Sequence, residues 1–342
     1  MSDSAVIAGT DGFTPLRVEE VVPETHDTIS LVLEVPGSQR DRFQYNAGQY
    51  LTVRVTVADA EHQRCYSMSS SPAINDNPRI TIKRERDGLV SNWLHDNVTA
   101  GAVLDVAAPQ GRFVLTESDR PLVAFAGGSG ITPVFSLLRT ALVGTDRNLR
   151  LLYANRDRRS VIFAPELDEL AEHHSGRLAV HHHIDQEKGI LSAAAITEFA
   201  ATAGDADYYI CGPAPFMDAV ETVLGTQVVD PARIHLERFR SVVPDIDAAD
   251  PVTEKVIVEI GRKTAAVEYR AGSTLLQTAR SAGLQPPSSC ETGSCGTCIA
   301  RVTEGSVRLL NNDVLTDEEL ADGYTLTCQS IPLGPTVRVI YE

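Results

Sequence analysis

Residues 121–142 read PLVAFAGGSGITPVFSLLRTAL, and this stretch decides the fold of the middle of the chain. The apolar run at 121–126 predicts a buried strand, the glycines of GGSGITP predict a tight turn, and VFSLLRTAL predicts an amphipathic helix with Pro133 at its first position. Main-chain N–H groups in such a turn, helped by the helix dipole, favour binding of a phosphate group. The turn lacks the full G-x-G-x-x-G pattern, so it is a weak signal by itself.

The residues after this turn repeat the alternation of strand and helix. Further apolar strands are predicted at LRLLYA (149–154), RLAVHHH (177–183) and DYYIC (207–211). Helices are predicted at APELDELAEHH (164–174) and APFMDAVETVL (214–224). Strands that alternate with helices indicate βαβ units, so residues 117–241 are predicted to form an α/β domain with a parallel sheet.

The first 116 residues have a different pattern. They contain short β-type runs separated by turn residues, and one clear helix around SNWLHDNV (91–98). Residues 1–116 are therefore predicted to form an antiparallel β-barrel. The predicted strands are TISLVLEV (28–35), QYLTVRVTV (49–57), RITIKRE (79–85) and VLDVAAPQGRFVL (103–115).

Residues 242–253, VVPDIDAADPVT, are rich in proline, aspartate and small residues, which is typical of an exposed linker. A third unit follows at 254–342. In it, KVIVEIG (255–261) and TAAVEYRAG (264–272) predict a hairpin, and STLLQTARSAG (273–283) predicts a helix with a hydroxyl N-cap. The C-terminal part of the chain is therefore predicted to be an α+β domain.

The composition limits the kinds of partner. The chain has 342 residues, 43% hydrophobic and 22% charged, which fits two or three globular domains. Its 46 acidic residues outnumber its 30 basic ones, and the formal net charge of −16 argues against nucleic acid or an anionic membrane as partner. That charge is compatible with a basic protein partner, and equally with a role in solubility alone. The chain has neither a basic and then apolar N-terminal run nor an apolar stretch of about 18 residues, so a cytoplasmic location is expected.

Residues 290–298, CETGSCGTC, hold three of the six cysteines. The arrangement Cys290-x4-Cys295-x2-Cys298 with a later Cys328 matches the plant-type 2Fe–2S spacing. Glycines let such a loop wrap closely around a small cluster, and hydroxyl and main-chain N–H groups can donate to its sulfurs. A structural zinc site is the alternative, although zinc ligands usually come as paired C-x2-C motifs. Four buried cysteines without a metal are a third interpretation.

The third unit resembles the β-grasp ferredoxin domain in its hairpin, capped helix and cysteine loop. The barrel resembles that of the ferredoxin–NADP reductase superfamily, because RCYSMSSSP (64–72) is similar to its R-x-Y-S motif. GQY (48–50) and PQGRF (109–113) also fall where barrels of that superfamily have similar segments.

The second resemblance implies a flavin site in the barrel. Arg64 would hold a flavin phosphate, Tyr66 would lie against the isoalloxazine, and Ser67 would donate to N5, the atom that accepts a hydride. Gly88 and Ser91 would start a helix whose free N–H groups bind a pyrophosphate, which favours FAD over FMN. Taken singly, each of these residues has an ordinary alternative role, as a surface charge, a strand aromatic or a helix cap.

The resemblance also implies a nicotinamide-dinucleotide site in the α/β domain. Its first half would be the turn of residues 127–133, and its second half would be the turn after the strand at 207–211. HLERF (235–239) resembles the carboxylate and aromatic that close over the flavin in related reductases. Ser67, Cys211 and Glu237 would be the catalytic residues. The remaining implied cofactor contacts are Gly127, Gly128, Gly130, Thr132, Gly212, Pro213 and Phe239.

The choice between NADH and NADPH is expected to depend on YANRDRRS (153–160). Arg156, Arg158 and Arg159 could grip a 2′-phosphate, whereas Asp157 would oppose it, and the most similar reductases favour NADH. NADH is therefore the predicted reductant, with NADPH as the alternative.

Two other features are given structural interpretations. Consecutive histidines at 181–183 point to alternate faces of a strand, so they are predicted to be strand-end residues and not a metal site. Cys65 is predicted to pack in the barrel.

The order of flavin barrel, nicotinamide domain and ferredoxin resembles the reductase components of bacterial oxygenases. Within that group the chain is most similar to the 3-ketosteroid 9α-hydroxylase reductases, and less so to the phenylacetyl-CoA epoxidase reductase. The resemblance implies that NAD(P)H reduces FAD and that single electrons pass through a 2Fe–2S cluster to a terminal oxygenase, expected to be a Rieske-type hydroxylase. A diiron monooxygenase or a cytochrome P450 is the alternative acceptor. A flavin reductase with a zinc-stabilised interaction module is a further alternative.

Overall fold

The structure is a computed structural model, and it describes residues 12–58, 60–74, 76–86, 88–201, 204–239, 253–288, 293, 296–312 and 314–341. The chain divides into two units, Met1–Phe239 and Arg240–Glu342. The first unit contains an antiparallel sheet and a parallel sheet, and the second contains a mixed sheet.

The antiparallel sheet has six strands. A bridge between Met68 and Ile80 joins the strands at the two ends of the sheet order, so the sheet closes into a barrel. Helix α1 (Leu89–Asn97) packs Val90 and Leu94 into the barrel core. The prediction of an antiparallel barrel is confirmed. The strands are β1 (Phe13–Thr25), β2 (Thr28–Glu34), β3 (Tyr50–Val57), β4 (Ala60–Ser67), β5 (Arg79–Lys83) and β6 (Val103–Ala107), in sheet order β4-β3-β6-β1-β2-β5.

The predicted parallel sheet is confirmed. It has five strands, one more than the four predicted, and helices lie on both of its faces. Alternate residues of its central strand enter different cores: Leu122 packs with Leu138 on one face, and Val123 packs with Met217 on the other. The strands are β7 (Leu122–Gly127), β8 (Leu149–Asn155), β9 (Leu178–Ile184), β10 (Asp207–Gly212) and β11 (Ile234–Arg238), in sheet order β11-β10-β7-β8-β9. The helices are α2 (Ile131–Gly144), α3 (Ala164–His173), α4 (Asp185–Lys188), α5 (Ala193–Ala201) and α6 (Ala214–Thr226).

Helix α2 differs from the prediction in two ways. It begins at Ile131, so Pro133 is its third residue and not its first. Proline is still tolerated there, because the N–H groups of the first helical residues have no intrahelical acceptor and none is lost. The helix is also not amphipathic, because ten of its 14 residues are buried. The reason is that α2 lies between the parallel sheet and the barrel, where the Ser136 hydroxyl donates to the carbonyl oxygen of Ser70 (2.6 Å).

The second unit has a five-stranded mixed sheet with the β12–β16 pair parallel and the other pairs antiparallel, which agrees with the predicted β-grasp arrangement. Thr274 caps the first helix by accepting from the Gln277 N–H (3.2 Å). The strands are β12 (Lys255–Ile260), β13 (Lys263–Glu268), β14 (Ile299–Leu309), β15 (Tyr324–Leu326) and β16 (Ser330–Tyr341), and the helices are α7 (Leu275–Ser281) and α8 (Asp317–Ala321).

The predicted linker at 242–253 lies outside the described residues except for its last residue. Thr253 is buried, and its hydroxyl donates to the carbonyl oxygen of Pro332 (2.9 Å). Thr253 therefore packs on the second unit instead of being exposed. Among the described residues, no helix is long and apolar enough to cross a membrane.

Candidate functional site

Three segments that are distant in the sequence meet at one end of the barrel. Tyr50 pairs with Ser67 in the β3–β4 ladder. The Tyr50 N–H also donates to the Gln110 carbonyl oxygen (2.9 Å), and the Gln110 N–H donates back to Tyr50 (3.0 Å). The structure thus brings together the segments on which the flavin prediction rests. They are GQY (48–50), RCYS (64–67) and PQGRF (109–113).

Ser67 has a buried hydroxyl that makes no hydrogen bond with the described residues. An unsatisfied buried hydroxyl costs about 1–3 kcal/mol, so a bound group that accepts from it would be stabilising. The Arg64 side chain is exposed and donates to the Gln63 carbonyl oxygen (2.7 Å), which leaves further donors on its guanidinium. Burial raises the pKa of the Tyr66 phenol, so Tyr66 is uncharged at neutral pH. An orphan hydroxyl, a neutral aromatic and an exposed cation fit a flavin.

The start of α1 is the second part of this region. Gly88 precedes the helix, and Ser91 is its third residue. The Ser91 hydroxyl accepts from the Glu85 N–H (3.1 Å), so it fixes the turn between β5 and α1. The first N–H groups of the helix then supply the donors suited to a phosphate.

The parallel sheet creates a crevice between the carboxyl ends of β7 and β10. These strands are neighbours, with Ala126 opposite Cys211, although they are not consecutive in the chain. Helix α2 leaves β7 on one face of the sheet and α6 leaves β10 on the other. Ligands of doubly wound domains bind at such a switch point.

Two glycines of the β7 turn are needed for packing of one turn against the other. A Cβ added at Gly130 would lie 2.2 Å from the Cys211 carbonyl oxygen, and one at Gly127 would lie 2.8 Å from Pro213 Cδ. Gly212 is similarly tight, because an added Cβ would lie 2.8 Å from the Phe216 ring. These glycines therefore shape the crevice by close approach of the two turns.

Gly128 differs from its neighbours. Its φ is +52°, and an added Cβ would meet only Lys83 Nζ, at 4.0 Å. A side chain there would face open space, so Gly128 is the position where a ligand could approach the main chain. Lys83 places a cation beside it that the sequence analysis missed, since a lysine in RITIKRE is ordinary for a half-buried strand. Thr132 is buried, and its hydroxyl donates to the Ser129 carbonyl oxygen (2.8 Å).

Cys211 and Glu237 are opposite each other in the β10–β11 pair, and both are buried. Burial, followed by the charge of Glu237, raises the pKa of the Cys211 thiol well above its usual value. Cys211 is thus a protonated thiol and not a thiolate. Phe239 is 43% exposed and ends the first unit.

The histidines at 181–183 make ordinary contacts. The His181 ring meets the Phe199 ring edge to face (5.2 Å between centroids), and His183 Nε2 lies 2.9 Å from the Gly189 carbonyl oxygen. Cys65 is partly buried, with its sulfur 3.4 Å from the Thr52 hydroxyl in the barrel.

Two of the four predicted cluster cysteines, Cys298 and Cys328, are described, and Cys290 and Cys295 lie outside the described residues. Both described cysteines are buried, and they share one apolar cluster. Thr327 fixes the loop by donating its N–H (3.2 Å) and its hydroxyl (2.9 Å) to the Cys298 carbonyl oxygen. Their apolar neighbours are Leu276, Leu315 and Leu326. Two buried thiols fixed in an apolar pocket fit a metal cluster shielded from water.

Comparison with known families gives three matches along the chain. The oxidoreductase FAD-binding domain matches residues 15–115, the oxidoreductase NAD-binding domain matches 125–222, and the 2Fe-2S iron-sulfur cluster binding domain matches 258–333. The chain is therefore an oxidoreductase that uses FAD, a nicotinamide dinucleotide and a 2Fe–2S cluster.

The relatives identify the family more closely. The ferredoxin reductase component of 3-ketosteroid-9-alpha-monooxygenase from Rhodococcus rhodochrous is 40% identical over 337 residues, 95% of each chain. The structure of phthalate dioxygenase reductase matches with a TM-score of 0.71 at 26% identity and covers 97% of this chain and 98% of that one. An intact type IV self-sufficient cytochrome P450 monooxygenase matches with a TM-score of 0.70 at 26% identity, over 96% of this chain and 41% of that one. This chain belongs to the family of ferredoxin reductase components of monooxygenases.

Proposed function

We propose that residues 1–116 bind FAD and residues 117–241 bind NADH, so that a hydride passes from NADH to FAD. Single electrons would then pass through the cluster bound by residues 254–342 to a separate terminal oxygenase. The observation that carries the proposal is the buried, unpartnered Ser67 hydroxyl at the meeting point of the three barrel segments. A buried donor without an acceptor is rare in folded proteins, and it is explained by a bound group that accepts from it.

The barrel residues divide the work of holding FAD. Arg64 would pair with a phosphate, Tyr66 would pack against the ring system as a neutral aromatic, and Ser67 would donate to the ring nitrogen that receives the hydride. Gly88 and Ser91 set the start of α1, whose N–H groups bind the pyrophosphate.

The α/β domain holds the dinucleotide. Gly128 offers its main chain, Lys83 neutralises phosphate charge, and Thr132 fixes the turn between them. Gly127, Gly130, Gly212 and Pro213 keep the crevice at its width. Cys211, an uncharged thiol that lies opposite Glu237, would stand beside the hydride path and exclude water from it. Phe239 would cover the flavin in the absence of the nicotinamide.

Four thiolates, from Cys290, Cys295, Cys298 and Cys328, hold the cluster. FAD converts a two-electron donor into one-electron steps, and the cluster relays single electrons. The competing zinc-module hypothesis is separated by metal analysis. Iron and acid-labile sulfide near two of each per chain support the cluster, and zinc without sulfide contradicts it.

The acceptor is proposed to be a Rieske-type oxygenase. The relative named for 3-ketosteroid supports a steroid hydroxylase as the first partner to test, whereas the match to a self-sufficient cytochrome P450 monooxygenase keeps that class of acceptor as an alternative. The net charge of −16 favours a partner with a basic docking face, so partner reduction is expected to slow as salt is raised. The use of cysteines as cluster ligands favours the reducing cytoplasm as the location.

A single cysteine substitution tests the proposal. In Cys328→Ser, NADH should still reduce FAD, and ferricyanide should still accept electrons from it, whereas the paramagnetic signal of the reduced cluster and electron transfer to the oxygenase should be lost. Cys65→Ser is the matched control and should keep both activities, because Cys65 is not one of the proposed cluster ligands and its sulfur contacts the Thr52 hydroxyl, a contact that serine can also make. Loss of FAD reduction in Cys328→Ser, or retained oxygenase reduction without a cluster, contradicts the proposed electron path.

A further inference from the structure

The turn after β8 and the start of α4 meet at one edge of the proposed dinucleotide site. The Gln186 N–H donates to the Arg156 carbonyl oxygen (3.1 Å), which docks α4 against the turn. β8 is the neighbour of β7, so this turn stands beside the glycine-rich turn at the carboxyl edge of the sheet. In doubly wound domains the end of the second strand is where the adenosine ribose is recognised.

Arg158 in this turn is held by a residue from the next strand–helix unit. Its Nε lies 2.6 Å from Glu187 Oε1, and its Nη2 lies 3.0 Å from Glu187 Oε2. Two parallel bonds between a guanidinium and a carboxylate form the bidentate geometry that an arginine otherwise offers to a phosphate. The donor face that would bind a 2′-phosphate is therefore occupied.

The other cations of the turn are arranged differently. Arg156 Nε lies 2.9 Å from Asp157 Oδ2, and Asp157 Oδ1 accepts from the Ser160 N–H (3.0 Å). Asp157 is thus a cap that shapes the turn. Arg159 is exposed and forms no ion pair with any part of the chain that the structure describes. Asp157 therefore has a second role as a cap, whereas the two Glu187 contacts described above are both with the Arg158 guanidinium.

We propose that Glu187 is a specificity determinant that makes this chain prefer NADH over NADPH. It engages the phosphate-binding face of Arg158 and places a negative charge where the 2′-phosphate of NADPH would lie. A 2′-phosphate carries a charge of about −1.5 to −2. To reach Arg158 it would have to displace the Glu187 carboxylate, and the negative charge of that carboxylate would repel it. NADH has only hydroxyl groups on that ribose and meets neither obstacle. This inference rests on the proposed function, because it assigns selectivity to the same dinucleotide site.

The test compares NADH and NADPH as electron donors to ferricyanide in four holoenzymes. In Glu187→Gln, kcat/KM for NADPH should rise roughly three- to tenfold, with kcat/KM for NADH changed by less than about twofold, because both groups are exposed and such pairs are individually weak. Arg158→Met should lower NADPH use. The double variant should lose the gain of Glu187→Gln, since the gain acts through Arg158.

Glu34→Gln is the matched control. Glu34 forms a comparable exposed pair with Arg17 (2.6 Å), but on β2 in the barrel, and its loss should leave the NADPH/NADH ratio unchanged. An unchanged ratio in Glu187→Gln, or an equal change for both dinucleotides, overturns the inference.

Calorimetric titration with ADP-ribose and its 2′-phosphate provides a readout that does not need turnover. Glu187→Gln should tighten binding of the phosphorylated form alone. If both nucleotides bind with this pattern but no variant oxidises NADH, the selectivity inference holds and the proposed function fails. If NADH is oxidised but Glu187→Gln changes the affinities for the two nucleotides equally, the selectivity inference fails and the proposed function holds.

Discussion

Arg79 Nη1 lies 2.8 Å from Glu166 Oε1, so a barrel strand is ion-paired to a helix of the α/β domain. The Arg79 guanidinium also lies 5.0 Å from the centre of the Phe163 ring, and its Nε donates to the Ser69 hydroxyl (3.0 Å). The Arg79 side chain is 14% exposed and the Glu166 side chain is 38% exposed, so the guanidinium is largely shielded from water and the carboxylate is only partly shielded. These contacts of Arg79 join the barrel to the α/β domain, and they include Ser69, which is two residues after the candidate flavin residue Ser67 in the sequence.

Replacing Arg79 with methionine should lower the free energy of unfolding by about 1–2 kcal/mol, because an ion pair and a hydrogen bond are lost while an unbranched side chain remains over Phe163. Flavin reduction by NADH should slow severalfold, since the two halves of the site are held less firmly. Urea unfolding and stopped-flow absorbance measure the two effects.

Asp105→Asn is the control for Arg79. It breaks the Arg54–Asp105 pair, which has a similar length (2.9 Å) and similar exposure but lies within the barrel. It should destabilise the protein without slowing flavin reduction. Equal slowing in the two variants would mean that loss of stability alone explains the effect.

Ser67 and Ser136 provide a contrast between two buried hydroxyls. Ser136→Ala should cost about 1–3 kcal/mol of stability, because it leaves the Ser70 carbonyl oxygen unsatisfied, and should leave flavin chemistry unchanged. Ser67→Ala should cost little stability, since no protein partner is lost, and should slow flavin reduction about tenfold, the effect expected for one lost hydrogen bond to a reacting group. Ser67 has only a structural role if both variants lose stability equally.

The sequence was most informative where a structural or chemical requirement falls on one continuous segment of the chain. The alternation of apolar strands and helices predicted the parallel sheet correctly, and the continuous apolar runs of β7 and β10 reflect burial of these strands on both faces. The cysteine spacing predicted the 2Fe–2S domain because four ligands on one small cluster constrain the loop closely. R-x-Y-S and its companion segments indicated the flavin barrel, and the structure brings them together.

The features missed by the sequence analysis depend on contacts between distant residues. β1, FTPLRVEEVVPET, was not predicted, because its charged residues and its two prolines hide the alternation of apolar and polar residues. Its pairing with β2 and β6 decides its structure. The burial of α2 could not be predicted without knowing that the barrel covers its outer face. Arg79 and Glu187 belong to no motif, since their importance lies in partners 87 and 29 residues away.

Two glycines of the β7 turn should respond differently to alanine. Gly130→Ala places a Cβ 2.2 Å from a backbone oxygen that cannot move aside, and should cost several kcal/mol or prevent folding. Gly128→Ala meets open space and should cost about 1–2 kcal/mol for its positive φ. The KM for NADH should rise, because the added methyl group would obstruct the proposed approach of the dinucleotide to the main chain. Steady-state kinetics and thermal unfolding separate the two effects.

Gly144→Ala, at the end of α2 with no atom within 4 Å of the added Cβ, is the control for the added methyl group. It should be neutral or stabilising by up to about 1 kcal/mol. A KM effect of Gly130→Ala without loss of stability would contradict the division of roles between the two glycines.

The raised pKa of Cys211 predicts a pH dependence of stability. In the unfolded chain a cysteine loses its proton at about pH 8.5, whereas the buried thiol keeps its proton at that pH. Above this pH the unfolded state therefore binds fewer protons than the folded state. The free energy of unfolding should therefore fall as the pH rises from about 8.5 toward 10, and less steeply in Cys211→Ala. Urea unfolding at several pH values measures the slope. Parallel slopes in the two proteins would show that the thiol is not held in its protonated form. That result would contradict the proposed role of Cys211, which lies in β10 opposite Glu237, as an uncharged neighbour of the hydride path.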